Sequence, residues 1–140
     1  MRSAPLIAVF CLLTLLPASA AVAPKSQERL KEESTHVIKG MVIEVTSEVK
    51  KSEIERGPIS HTDRIYSIKV RVAAVTKGED IKEGDVVVLT AWRPETRIPP
   101  LPGSQGNEGI PEVGDSITAY VVKRGELLKP IVPNGIQTHE

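Results

Sequence analysis

The sequence predicts a mainly β protein: a single domain of five strands closed into a small barrel, with a short N-terminal helix and a long Pro/Gly-rich loop. Three observations lead there. Val, Ile and Thr, the residues that fit a pleated surface, dominate the segments from Thr35 to Val49, Ile65 to Val75, Val86 to Trp92 and Ser116 to Val122. In the second of these, Tyr66, Ile68, Val70 and Val72 alternate with Ser67, Lys69 and Arg71, the period-two pattern of a half-buried strand. Gly84-Asp85, Gly114-Asp115 and Gly125 then cut the chain at short intervals with turn chemistry.

The chain opens on a segment that predicts no fold at all. Arg2 gives a basic start, Leu6 to Leu16 is apolar apart from Thr14, Pro17 ends the run, and Ala18-Ser19-Ala20 supplies small residues. A run of about eleven residues suits a secretory signal peptide and is too short to span a bilayer. Residues 1–20 therefore read as a signal peptide cleaved near Ala20, and the protein as secreted or periplasmic. Cleavage removes Cys11, the only cysteine, and with it any disulfide, thiol nucleophile or thiolate metal site. A small exported domain without disulfides depends on its core, and about 120 residues suffice for one.

Residues 21–34 form an N-terminal segment with a short helix. Ser26 is its expected N-cap, Glu28 lies in its first turn, and Leu30 is its main apolar contact. Residues 35–133 make up the barrel. The first strand, Thr35 to Val49, carries Gly40, which marks a bulge or sharp bend. Lys50 to Asp63 is a polar connection. Strand two, Ile65 to Val75, breaks its alternation at Ala73-Ala74, where a bulge returns Val75 to the core. Strand three ends at Trp92. Strand four, Ser116 to Val122, turns at Arg124-Gly125-Glu126 into strand five, Leu127 to Val132, which Pro130 brings to an edge or an early end. Pro133-Asn134-Gly135 is a closing turn, and residues 134–140 are a frayed tail. Between strands three and four, Arg93 to Glu112 holds Pro94, Pro99, Pro100, Pro102 and Pro111. That composition argues against a helix or a central strand and for a long loop, of the kind that carries function or stays irregular.

Charge excludes some functions. Without Arg2 there are 17 basic and 18 acidic residues, well mixed, so no general attraction to nucleic acid or anionic lipid exists. No further apolar run is long enough to span a membrane. Only Tyr66, Trp92 and Tyr120 remain to stack on bases or sugars, and the two cations Lys69 and Arg71 on one strand face do not make a groove.

Helix, bent strand, long connection, a strand ending in Lys77-Gly78, a Gly-Asp strand and a hairpin form a distinctive order. HVIKGMVIEV, IYSIKVRVAAVTKG, GDVVVLTAW and GDSITAYVVKRGELLKPIV carry it. Over Ser26 to Val132 this resembles the OB-type barrel of the netrin-like and tissue-inhibitor-of-metalloproteinases group. It also looks like small exported bacterial proteins of unknown function that end in a Pro-Asn-Gly turn. The resemblance implies an OB-like β-barrel. The inhibitors of that group chelate a target zinc through an N-terminal cysteine, which this chain lacks after cleavage, so the fold carries over and the activity does not.

Candidate sites are few. His36 and His61 lie at opposite ends of the first strand, about 30 Å apart at ~3.3 Å per residue. Zinc ligands must each lie about 2 Å from one ion, so the two do not share a metal, and solvent-exposed histidines, His139 included, are expected. No nucleophile motif or zinc-protease motif occurs. Glu53, Glu55 and Asp63 read as solvated loop carboxylates. Gly103 to Gly109 is glycine-rich but lacks the strand-to-helix setting and lysine of a phosphate loop. RIPPLPG, Arg97 to Gly103, has the Pro99-x-x-Pro102 spacing of a polyproline ligand, yet a stiff cover over one end of the barrel fits an exported chain better. The expected binding region is Trp92, Arg93, Glu95 and Arg97 with the loop beyond, because Trp and Arg are enriched at binding hot spots. No cofactor is expected. The function that follows is a non-catalytic exported module that binds another exported or envelope protein. The alternatives are an exported enzyme or metal-dependent hydrolase whose histidines and loop acids converge, or a carrier of a small apolar ligand.

Overall fold

In the computed structural model, residues 23–52, 60–98 and 106–140 are described. The leader lies outside them, as do Glu53, Glu55 and the Pro99–Pro102 repeat. One short helix, α1 (Gln27–Glu33), is followed by six strands: β1 (His36–Lys51), β2 (Ser60–Lys77), β3 (Val86–Ile98), β4 (Ser116–Arg124), β5 (Leu127–Pro130) and β6 (Ile136–His139). The fold is mainly β. Five strands form a closed ring in the order β1-β2-β3-β5-β4 and back to β1, and β6 adds to β4. All pairings are antiparallel except β3 with β5, which is parallel.

The ring closes around an apolar interior. Ile38, Val42, Ile68, Val70, Val72, Leu89, Ala91, Ile117, Ala119 and Val121 are buried in one cluster. Each fully buried Val, Leu or Ile stabilises the fold by about 1.5–3 kcal/mol, so this cluster supplies the main driving force. A smaller cluster forms outside the ring. Leu30 of α1 packs there on Val37, Tyr120 and Ile131. β4 is thus buried on both faces, with no exposed residue between Ile117 and Val121. Ser26 caps α1 by accepting from the Arg29 N–H at 3.3 Å.

Bulges bend β1 and β2 around the ring. Register shifts fall between Val37 and Ile38, between Lys39 and Gly40, and between Val42 and Glu44. The second leaves Ala73 unpaired between Ala74 and Val72, at the site where the apolar alternation of β2 breaks.

Three regions depart from the sequence expectation. First, Lys50 and Ser60 to Asp63 are strand, with Lys50 facing Asp63 and Lys51 facing Thr62. This end of the β1–β2 ribbon contributes no residue to the apolar core, so neither face must be apolar and no alternation announces it. Second, β3 runs on through Pro94 to Ile98. The extension pairs with β2 alone, and a register shift between Thr62 and Asp63 lies at Pro94, so the missing N–H breaks no central ladder. Third, the last residues pair instead of fraying: β6 binds β4 from Ala119↔Ile136 to Ser116↔His139.

β5 and β6 run along one edge of β4 as a single strand interrupted by Val132-Pro133-Asn134. The neck of this excursion is tied by Gly135 N–H to Ile131 O at 2.7 Å. Tyr120 bonds both sides of it, through its carbonyl to Ile131 N–H at 2.9 Å and through its N–H to Gly135 O at 2.8 Å. Only glycine fits here: a Cβ on residue 135 would lie 2.5 Å from Ile131 O and 2.6 Å from Ile131 N. Asn134 then holds the N-terminal segment, accepting from Lys25 N–H at 2.9 Å and donating to Lys25 O at 2.8 Å.

The weakest seam is β3 with β5, which share one bridge, Leu89↔Leu128. Past it the strands diverge and Asn107, 1 % exposed, fills the gap. Its N–H donates to Trp92 O at 2.7 Å, its Oδ1 accepts from Trp92 N–H at 3.1 Å, and its Nδ2 donates to Pro130 O at 3.2 Å. Proline offers only an acceptor and Trp92 offers both groups, a set that an amide side chain plus one N–H satisfies. Gly106 (φ +73°) lets the chain reach this position, since a Cβ there would overlap Trp92 O. Asn107→Ala should destabilise the fold by about 2–3 kcal/mol, because Trp92 N–H and Pro130 O lose buried partners. Urea unfolding measures this, and a change within about 0.5 kcal/mol would show that the seam does not need the stitch.

Candidate functional site

A cleft of about 660 Å³ lies across the divergent β3–β5 seam. Trp92 and Ile65, directly paired across β3 and β2, form one apolar wall. Val122, Ile131 and Val132 form the facing wall, and Asn107 also lines the cleft. The cleft exists because β5 ends at Pro130 while β3 continues to Ile98, so the two strands cannot zip further.

Charge is unevenly placed around it. Lys25, Lys50, Lys51, Arg124 and Lys129 line the cleft, against only Glu33 and Asp63. Both carboxylates are engaged: Glu33 pairs with Lys25, whose hydrogen bond holds its pKa below the usual value, and Asp63 pairs with Arg97. The cations come from the N-terminal segment, the end of β1 and the β4–β5 hairpin.

Of the four predicted binding residues, only Trp92 lines this cleft. It is half-buried, with both backbone groups bound by Asn107. All four sit on β3 and not on a loop. Glu95 takes a two-pronged contact from Arg64, at 3.0 and 2.9 Å, and Arg64 also reaches Ser47 at 3.1 Å. That hydrogen bond lowers the Glu95 pKa and raises that of Arg64. Arg97 binds Asp63 and donates to Thr62 O at 2.8 Å and Thr96 O at 3.0 Å. Asp63 is therefore a structural partner and not a solvated loop acid. Arg93 is exposed. Glu95 and Arg97 belong to the strand's own bracing, which sequence patterning could not reveal because the register between β2 and β3 decides the partners.

Sequence reasoning missed Asn107 and the cations of the hairpin. In the Gly-rich stretch, the N–H groups of Asn107 and Glu108 are taken by Trp92 O and Pro133 O, at 2.7 Å each, so they are not turned toward a phosphate. The RIPPLPG reading rests on residues outside those described, apart from Arg97 and Ile98, which end β3.

The histidines also depart from expectation. His36 and His61 are 6 % and 5 % exposed. They do sit at opposite ends of β1–β2: His36 begins β1, whereas the His61 carbonyl accepts from Ser52 N–H at 2.9 Å. Among the described residues no group of three or more His, Cys, Asp or Glu side chains could hold a metal. No described helix is long and apolar enough to cross a membrane. His139 is exposed and its Nε2 lies 2.6 Å from Thr118 Oγ1.

His36 is packed against Gly78 and clasped on both nitrogens, by Thr35 Oγ1 at 2.7 Å on Nδ1 and by Asp80 on Nε2. Asp80 also accepts from Lys123 Nζ at 2.5 Å, and Thr35 Oγ1 accepts from Lys123 N–H at 2.8 Å. A hydroxyl, an imidazole and a carboxylate are thus in line, but neither His36 nor Asp80 lines the cleft. The cluster joins the start of β1, the β2–β3 turn and the end of β4.

The Lys123 hydrogen bond, and after it the one from His36, holds the Asp80 carboxyl far below the usual carboxylate range. A depressed folded pKa stabilises the fold above the unfolded value of about 3.9, and that contribution is lost as pH falls through the folded value. Asp80→Asn should therefore lower the melting temperature at neutral pH and converge with the parent in strong acid. Superimposable melting curves at pH 7 would show that the clasp contributes nothing.

No family model, curated protein or solved structure matches this chain.

Proposed function

We propose that this protein is an exported, non-catalytic binding module on an OB-like barrel, and that its cleft beside Trp92 receives a segment of another exported or envelope protein. The observation that carries the reading is the cleft itself: a preformed concave site lined by a half-buried tryptophan, on a frame in which Asp63, Glu95 and Arg97 are engaged in bracing. The strand order β1-β2-β3-β5-β4, with β3 and β5 parallel, supports the OB-like reading, since that barrel is a five-stranded, partly open Greek key. The apolar leader and its Ala18-Ser19-Ala20 end support export.

The imidazole of His36 and the carboxylates of Asp80 and Asp63 are used in structural contacts, which favours binding over catalysis. The ring interior is filled by side chains, so an apolar ligand would have to sit in the cleft, whose rim is charged. Strand addition to β3 at the cleft is also disfavoured. Trp92 already bonds Asn107, and Pro94 brings no N–H.

Trp92→Ala removes the aromatic wall while leaving Asn107 its backbone partners. Capture of a defined partner from the exported fraction should weaken by about tenfold or more, as for a hot-spot aromatic. Circular dichroism and urea unfolding check that the variant folds. Equal capture by a folded variant would remove the cleft from the function.

A further inference from the structure

We infer that the cleft recognises an acidic stretch of polypeptide in which carboxylates are interspersed with aliphatic side chains. This rests on the reading of the cleft as the binding site and adds the chemistry of its occupant. Five cationic side chains line the cleft against two carboxylates, in a chain whose formal net charge is zero. Lys25 is paired with Glu33, Lys50 with Glu48 and Asp63 with Arg97, and with these partners counted the cations still outnumber the carboxylates by three. Complementary charge of this kind draws an anionic partner in and sets its register.

The placement of the cations decides between a single anionic group and a chain of them. They come from three separate elements: Lys25 before α1, Lys50 and Lys51 at the end of β1, and Arg124 and Lys129 on the β4–β5 hairpin. Arg124 and Lys129 are exposed, and Val122, which faces Lys129 across the hairpin, supplies apolar wall between them. Cations spread around a rim suit several negative charges along one ligand better than one head group. The walls decide between kinds of polyanion. Trp92 is the one aromatic residue among the lining residues described, too few for the stacking of successive bases or sugars. Ile65, Val122, Ile131 and Val132 offer aliphatic surface, which matches Leu, Val or Ile side chains between the acids.

The test uses the purified protein and four labelled probes: a peptide alternating glutamate pairs with leucine, its glutamine counterpart, dextran sulfate and oligo-deoxythymidine. Fluorescence anisotropy should show the acidic peptide binding, with affinity falling as salt rises from about 50 to about 300 mM. The glutamine peptide should bind at least about tenfold more weakly, and Arg124→Glu with Lys129→Glu should cost the acidic peptide about tenfold or more. Both residues are exposed, and the melting temperature reports whether the double variant folds; Lys50→Glu, on another element, repeats the test independently. Equal binding of the glutamine peptide, or binding of dextran sulfate or oligo-deoxythymidine in place of the acidic peptide, overturns the inference. If Trp92→Ala abolishes capture of the exported partner while the charge reversals leave it intact, the cleft stands as the site and the acidic chemistry fails.

Discussion

The ring is closed by a single bridge between β3 and β5, and a buried asparagine completes what that bridge begins. A closed sheet must satisfy the backbone groups on every edge. Here β5 is too short and ends in a proline, so β3 runs past it with groups unpaired. Asn107 answers with one N–H, one carbonyl oxygen and one amide donor, the set that Trp92 and Pro130 require. Closure by a side chain in place of a strand leaves the two strands apart. That separation is the cleft. The structural repair and the candidate binding site thus share one origin, and Trp92 serves both, its backbone in the stitch and its ring in the wall.

A second organising point is the Val132-Pro133-Asn134 excursion. It allows one edge of β4 to carry two short strands in a common line. Its tip gathers chain from elsewhere: Asn134 takes up Lys25 through both amide groups, and Pro133 O accepts from Glu108 N–H. The N-terminal segment, and with it Leu30 of α1, is thereby fixed over Tyr120. The returning long connection is fixed beside Asn107. Removal of a leader near Ala20 would leave Lys25 only a few residues from the new terminus, and this clamp is what orders it.

Much of the frame was legible because it obeys patterning. Tyr66 to Val72 alternate and are a strand; Ser26, Glu28 and Leu30 mark a helix start, and α1 spans Gln27–Glu33; the break at Ala73-Ala74 is a bulge. The failures share a cause. The ends of β1, β2 and β3 lie beyond the core, where pairing needs no apolar face, so their polar and proline-bearing sequences resemble loops. β6 is short and follows a turn, so His139 looked like tail. The histidines were misjudged because burial of His36 depends on Gly78 and Asp80, more than forty residues away, and nothing local announces that contact. Trp92 was legible as an unusual residue at a strand end. Its charged companions in the cleft were not, because Lys50, Arg124 and Lys129 meet only through topology.

The uneven placement of charge has one more consequence. A chain with zero formal net charge and a cationic mouth must carry its negative excess elsewhere, so it is not an electrically silent body. Net neutrality removes long-range attraction, but an uneven distribution of charge still responds to the field of a charged partner before contact. Encounters would be oriented mouth-first toward an anionic surface, without the indiscriminate adhesion that a basic protein suffers. Such a distribution makes the molecule choosy about direction while it remains indifferent to most of what drifts past.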